Sequence, residues 1–229
     1  MRWVTATVRR MTLGRLTTRP ALRARHLLAD PVAAMLADLA VEAPVDAELV
    51  LVADIDPEHA DTAAFTAAYG VPPSASANCV VVAGRRDGIE RVAACVVLAT
   101  TRADVNGVVR RLLDVRKASF LSVDRAVELS AMEYGGITPL GLPPTWQVLV
   151  DAAVADSPEV VVGSGLRRSK IVLPGALLAR LPSTRVVVGL GVGAEGLNCD
   201  ESPVRRNEVH TVPKVTDVQV SHHHLGGTP

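Results

Sequence analysis

Apolar positions along the 229-residue chain change period several times, and each change marks a new element. Leu28, Val32, Met35, Leu36 and Leu39 recur at helical spacing, with Asp30 as the expected N-cap and Pro31 as the first-turn proline, and Pro44 ends the run. A strand is expected at 48–55 and a helix at 57–69, closed by Gly70 and the Pro72-Pro73 pair. Residues 78–83 and 91–100 are near-continuous apolar runs around Arg86-Asp87-Gly88, the makeup of a hairpin turn between two central strands. Val105, Val108, Val109, Leu112 and Leu113 form the apolar stripe of a helix with Asp104 as its N-cap. Ser122 caps a shorter helix that ends near residue 131, and strands follow at 147–151, 159–163 and 169–173. A helix at 174–181 and a strand at 185–190 close the pattern. Helices fall between groups of strands and do not alternate strictly with them. This predicts an α+β fold with a mixed sheet, not a doubly wound parallel one.

The ends of the chain lack such periodicity. Residues 1–25 are rich in Arg and Thr and are expected to form a disordered basic arm, although their makeup also fits a transit peptide. Residues 192–229 hold few large apolar side chains and read as a disordered tail, which leaves one domain at 26–191. A hydrophobic content of 48% is enough for one sizeable core. No apolar run approaches the roughly 20 residues of a membrane span, and the first residues carry no apolar secretory segment. A cytoplasmic protein with no membrane partner is expected. Cys79, Cys95 and Cys199 are odd in number and unlike C-x-x-C in spacing, so neither a disulfide framework nor a metal site is expected. Arg outnumbers Lys by 21 to 3, as in proteins from GC-rich bacterial genomes.

A net charge of zero hides strong segregation. Residues 1–28 hold seven Arg and no acid, whereas 29–70 hold nine acids and no Lys or Arg. Residues 71–191 carry 14 basic and 10 acidic side chains, so the stretch with the glycine loops is the basic one. That sign suits a nucleic-acid ligand, and it also suits an ordinary solvated surface.

Candidate chemistry concentrates in two loops. From Gly135 to Pro144 the chain packs three Gly and three Pro into ten residues, a run that neither helix nor central strand accommodates and that exposes backbone N–H groups. Gly163-Ser164-Gly165 follows Val160-Val161-Val162 at a second strand end, and two such loops suggest one pocket. His26, His59 and His210 lie outside these segments and His222 to His224 form a terminal run, so no general-base histidine is evident. Cys79 is a candidate nucleophile only if its thiol is activated. With Cys95 almost opposite it across a hairpin centred on Asp87, a buried strand thiol is the simpler reading.

The segments GGITPLGLP (135–143), VLVD (148–151), VVVGSG (160–165) and KASF (117–120) resemble the YbaK/ProX family, free-standing deacylases related to the editing domain of bacterial prolyl-tRNA synthetases. The resemblance spans roughly residues 28–190. It implies a largely antiparallel, barrel-like central sheet with surrounding helices. It also implies a trans-acting editing hydrolase that cleaves the ester of a mischarged tRNA carrying a small amino acid, without cofactor or metal. Such editing is needed because a synthetase pocket gains only about 1–3 kcal/mol per methylene. By position, Gly135, Gly136, Ile137, Thr138 and Pro139 would line the carbonyl site, where backbone donors stabilise an oxyanion and a substrate ribose hydroxyl helps activate water. Asp151 would sit on an adjacent strand, and Ser164 and Gly165 would meet the adenosine. The partners implied are the tRNA acceptor end, with tRNA-Pro as one candidate, and an aminoacyl-tRNA synthetase.

One position departs from the pattern. Where the family carries Lys followed by Thr or Asn, this chain has Asn78-Cys79-Val80, and Asn lacks the charge and reach of an ammonium. Arg167, Arg168, Lys170 and Lys117 are candidates to replace that charge, and Cys79 would adjoin the substrate. A non-catalytic binder of tRNA or nucleotide on the same fold therefore remains an alternative, as does a hydrolase of another small acyl ester.

Overall fold

The computed structural model describes residues 13–193, so the expected arm up to residue 12 and the expected tail from residue 194 lie outside the described residues. Ordered structure begins ahead of the expected boundary at residue 26. Strand β1 (Thr18–Pro20) pairs antiparallel with β2 (Leu51–Asp54), and Leu16, Ala21 and Ala24 are buried. A three-residue edge strand is too short to show a period.

Helix α1 (Asp30–Glu42) starts with its proline in the first turn, as expected, but Ala29 and not Asp30 is its N-cap, and Asp30 stands inside the first turn with no capping bond from its side chain. Pro44 does end that run, but it also opens a short helix, α2 (Pro44–Glu48), which delays β2 to residue 51. The expected helix at 57–69 is broken. A 3-10 turn (Pro57–His59), with Asp56 accepting from the Glu58 amide at 3.0 Å, precedes α3 (Thr62–Tyr69), which starts behind Asp61 and ends on left-handed Gly70.

The long hairpin forms as the turn composition requires: β3 (Ala77–Arg86) and β4 (Ile89–Leu98) run antiparallel around Asp87 (φ 51°) and Gly88 (φ 79°). Two consecutive left-handed residues make the type I′ turn that matches strand twist. The loop has two residues, so Cys79 opposes Val96 while Cys95 opposes Val80. The two thiols therefore sit on opposite faces of the sheet, not across from one another as expected.

Strand β5 (Thr101–Ala103) leads into a helical segment made of a wide π turn (Val105–Val109) and α4 (Arg110–Leu112). The Asp104 carboxylate caps it by accepting from the Gly107 and Val108 amides at 2.8 and 3.0 Å. Then follow β6 (Ala118–Phe120), α5 (Val123–Ser130), β7 (Gln147–Asp151), α6 (Ala152–Ala155), β8 (Val160–Gly163), β9 (Ser169–Leu173), α7 (Gly175–Leu178), β10 (Thr184–Val187) and β11 (Gly191–Gly193).

Among the described residues the strands divide among three sheets and do not close into one barrel: β1-β2-β9-β8, β10-β7-β4-β3-β6 and the pair β11-β5. Only β4–β7 and β7–β10 are parallel among the described pairings, so the arrangement is mixed and largely antiparallel, as the element order predicted. The main core lies between the two larger sheets. There Val52, Val160, Val162, Ile171 and Leu173 from the first sheet join Val96, Val148 and Val150 from the second, together with Val32 and Leu36 of α1. The intervening residues Val161 and Val172 turn to the far face of the first sheet, where Phe65 of α3 covers them. On the second sheet, Cys95, Val97 and Leu149 pack under Val109 and Leu113.

Candidate active site

The two larger sheets touch where Ser76 bridges Val161, and a cavity of about 280 Å³ opens at that junction. Its floor is made of buried Ala60, Ser76, Ala77, Val161, Val162 and Lys170. Asp61 and Tyr134 are exposed at its rim, and Thr62, Asn78, Cys79, Gly135 and Ile137 are partly exposed between them.

Lys170 is the anomaly of the fold. It lies in β9, hydrogen-bonded on both sides by β2 and β8, where a sheet covered on both faces normally carries apolar side chains. It shares the face of Val172, with its ammonium 5.5 Å from the centre of the Phe65 ring. Nζ donates to the Ala60 carbonyl at 2.8 Å and, at a longer 3.4 Å, to that of Gly135. Burial lowers its pKa from 10.5 to about 8; nearby Asp61 opposes the fall and Arg167 adds to it.

The two glycine loops meet backbone to backbone. Gly165 N donates to Gly136 O at 2.8 Å, and Glu133 N donates to Gly165 O at 2.8 Å. A Cβ on Gly136 would stand 2.7 Å from the Leu166 backbone, and one on Gly163 would stand 2.2 Å from Gly136 O, so side chains are excluded by contact. Gly135 holds φ at +78°. Arg167 ties the loop to the start of the 57–60 turn: Nη1 donates to Tyr134 O at 3.1 Å and Nη2 to Pro57 O at 3.2 Å, with Glu133 Oε2 accepting from its amide at 2.6 Å. Lys170 bridges the same two segments one step deeper. Asn78 is fixed from α3, its Oδ1 accepting from Thr62 Oγ1 at 2.6 Å.

The structure thus gathers Asn78, Cys79, Gly135, Ile137 and Lys170 around one cavity, with Gly136 behind the wall and Arg167 beside it. It separates the rest. Thr138 is fully buried and its hydroxyl has no partner, while Pro139 lines a different groove of about 480 Å³ against α1 and the 180–183 segment. Ser164 faces inward, 2.7 Å from the Ser169 hydroxyl, and Gly165 borders a cleft shared with Arg25 and His26. Arg168 donates to the His26 carbonyl at 2.7 Å on that same side. Asp151 is structural: Oδ1 accepts from Ala153 N at 2.9 Å, capping α6, and Oδ2 accepts from Gly191 N at 2.7 Å. Lys117 belongs to another cleft, with Arg85, Glu90 and Arg125.

Burial pushes the Cys79 thiol well above its ordinary value, and that of Cys95 up to about 12. Both stay protonated at neutral pH, which leaves Cys79 as a wall residue and not a nucleophile. Asp61, Thr62 and Tyr134 were missed by sequence reasoning. An Asp-Thr pair opening a helix is a start signal that would have divided 57–69 and drawn attention to Asp61.

Residues 56–181 match the family model of the aminoacyl-tRNA editing domain. No curated protein sequence matches significantly. Among solved structures, a candidate trans-editing enzyme for prolyl tRNA synthetase superposes with a TM-score of 0.58 at 18% identity, over 72% of this chain and 99% of that one. A hypothetical protein gives 0.58 at 18% over 69% and 99%, and a scaffold from computational epitope grafting gives 0.57 at 20% over 72% and 99%. At these identities the likeness establishes a shared fold.

Proposed function

This chain belongs to the aminoacyl-tRNA editing domain family, and from that premise we propose that it hydrolyses the ester of a mischarged tRNA in trans, in the cytoplasm. The observation that carries the reading is the cavity itself. Within the family-matched segment, a glycine loop, an oriented asparagine, a carboxylate and a buried ammonium converge on a space of about 280 Å³. That volume suits a short acyl group attached to the terminal adenosine of a tRNA acceptor end.

The chemistry follows from what lines the cavity. Neither the Gly135 nor the Ile137 amide donates to an acceptor among the described residues, so both are open to the ester carbonyl, where they stabilise the oxyanion formed when water attacks. Asn78 retains its two amide hydrogens as donors, because its contact with Thr62 uses only the carbonyl oxygen. Lys170 places a positive charge in the floor of the same cavity, whereas residue 78, where the YbaK/ProX resemblance leads one to expect a lysine, is a neutral amide. Collapse of the intermediate breaks the ester bond and returns a proton to the ribose oxygen, and the family resemblance assigns activation of the water to the neighbouring ribose hydroxyl. A synthetase, that for proline among the candidates, would supply the mischarged tRNA.

The test is hydrolysis of labelled alanyl-, cysteinyl-, seryl- and aspartyl-tRNA at substoichiometric protein, beside Gly135→Ala and Asn78→Lys variants. Wild-type turnover that disappears in folded Gly135→Ala is the expected result. No turnover across the panel, with tRNA binding retained and hydrolysis created by Asn78→Lys, would replace this reading with a non-catalytic binder, the reading that the missing lysine favours.

A further inference from the structure

The cavity carries two opposite charges at different depths: Asp61 is exposed at the rim and Lys170 is buried in the floor. An ammonium has three N–H donors. Two of those on Lys170 meet the carbonyls of Ala60 and Gly135, the second loosely, and the third has no acceptor among the described residues. Among the described residues no carboxylate comes within ion-pair distance of Nζ, although Asp61 is near enough to favour its charged form. The neighbouring strand face, with Phe65, Val161 and Val172, is apolar, so what the ammonium adds is its bond to the Ala60 carbonyl, its longer contact with Gly135 and one donor that neither uses. A buried cation with a donor to spare and a cavity beside it can meet an anionic group there.

An aminoacyl ester brings its own α-ammonium, which Lys170 repels and Asp61 attracts. The acyl group therefore enters with its amine at the rim and its side chain toward the floor. A methyl group arriving there would leave the spare N–H of Lys170 facing carbon, a loss not recovered elsewhere. A carboxylate would form a charge-assisted hydrogen bond with it. Resting on the deacylase reading, we propose that Lys170 is the specificity-determining residue and that the site takes an aminoacyl ester with a short carboxylate side chain, an aspartyl group above an alanyl or seryl one.

The deciding experiment is calorimetric binding of two non-hydrolysable amides, 3′-aspartylamino-adenosine and 3′-alanylamino-adenosine, to wild type, Lys170→Met and Asp61→Asn. Wild type should prefer the aspartyl compound by about tenfold or more. Lys170→Met should abolish or invert that preference, and Asp61→Asn should weaken both compounds by similar factors. Equal binding by wild type, a preference for the alanyl compound, or an aspartyl preference that survives in folded Lys170→Met overturns the proposal. Should Lys170→Met fail to fold, the wild-type preference together with the unchanged ratio in Asp61→Asn decides it. Parallel hydrolysis of aspartyl-, seryl- and alanyl-tRNA separates the two readings. Turnover that favours alanyl-tRNA sinks the specificity and leaves the deacylase, whereas no turnover with the aspartyl preference intact sinks the deacylase and leaves recognition by Lys170.

Discussion

Raising the pH should stabilise the wild-type fold through Lys170, and Lys170→Met should lack that gain. The free side chain titrates at 10.5 and the buried one at about 8, so between these values the unfolded chain holds a proton that the folded chain has released. Stability then rises with pH across that window. At about 1.4 kcal/mol per tenfold change in proton affinity, holding the charge in the fold costs roughly 3 kcal/mol below pH 8, and the cost fades by pH 10.5. Between about pH 7 and about pH 9.5, roughly 2 kcal/mol of it is recovered. The cysteines act in the opposite sense, because their raised folded values keep protons that the unfolded thiols lose above about pH 9. That term is common to both proteins and cancels in the comparison. Urea denaturation of wild type and Lys170→Met at the two pH values measures the difference, and wild type should gain roughly 2 kcal/mol more than the variant. At neutral pH the variant should lie close to wild type, since the removed charging cost of roughly 3 kcal/mol is offset by about 1–3 kcal/mol for the Ala60 carbonyl left without its donor. Parallel pH profiles would refute the assignment of a buried, cationic Lys170.

Three further outcomes follow from the geometry. Gly136→Ala forces a methyl to within 2.7 Å of the Leu166 backbone and should cost about 1–3 kcal/mol in thermal or urea unfolding. Asp104→Ala removes the acceptor of two helix-start amides and should cost about 1–2 kcal/mol, with faster hydrogen exchange at Gly107 and Val108. Asp151→Ala should destabilise by a similar amount, about 1–2 kcal/mol, through the lost cap and the lost Gly191 bond. Its kcat/KM per folded molecule should stay at the wild-type value, because the carboxylate lies outside the cavity; a selective loss of kcat would return it to the site.

The features legible along the chain alone were local. The first-turn Pro31 of α1, the Asp87-Gly88 turn, the Asp104 cap and the glycine-proline loop at 135–144 depend on backbone preferences of adjacent residues, so they stand where the pattern put them. The short strands β1, β5, β6 and β11 were not legible, because three residues carry no period and exist only through their partners. Side-chain placement at the site was decided by tertiary structure. Asp151 and Lys117 sit on segments of the right kind, but the sheet order carries Asp151 to the α6 end of β7, and β6 pairs near Gly84, well along β3 from Asn78. In Ser169–Leu173 the sequence shows a strand with a lysine in its second position. Its burial beneath Phe65, its contact with Ala60 and its nearness to Asp61 come from chain more than a hundred residues earlier, brought there by the pairing of β9 with β2. Turn and cap chemistry is written in neighbouring residues, whereas desolvation and charge complementarity belong to whatever the fold brings alongside.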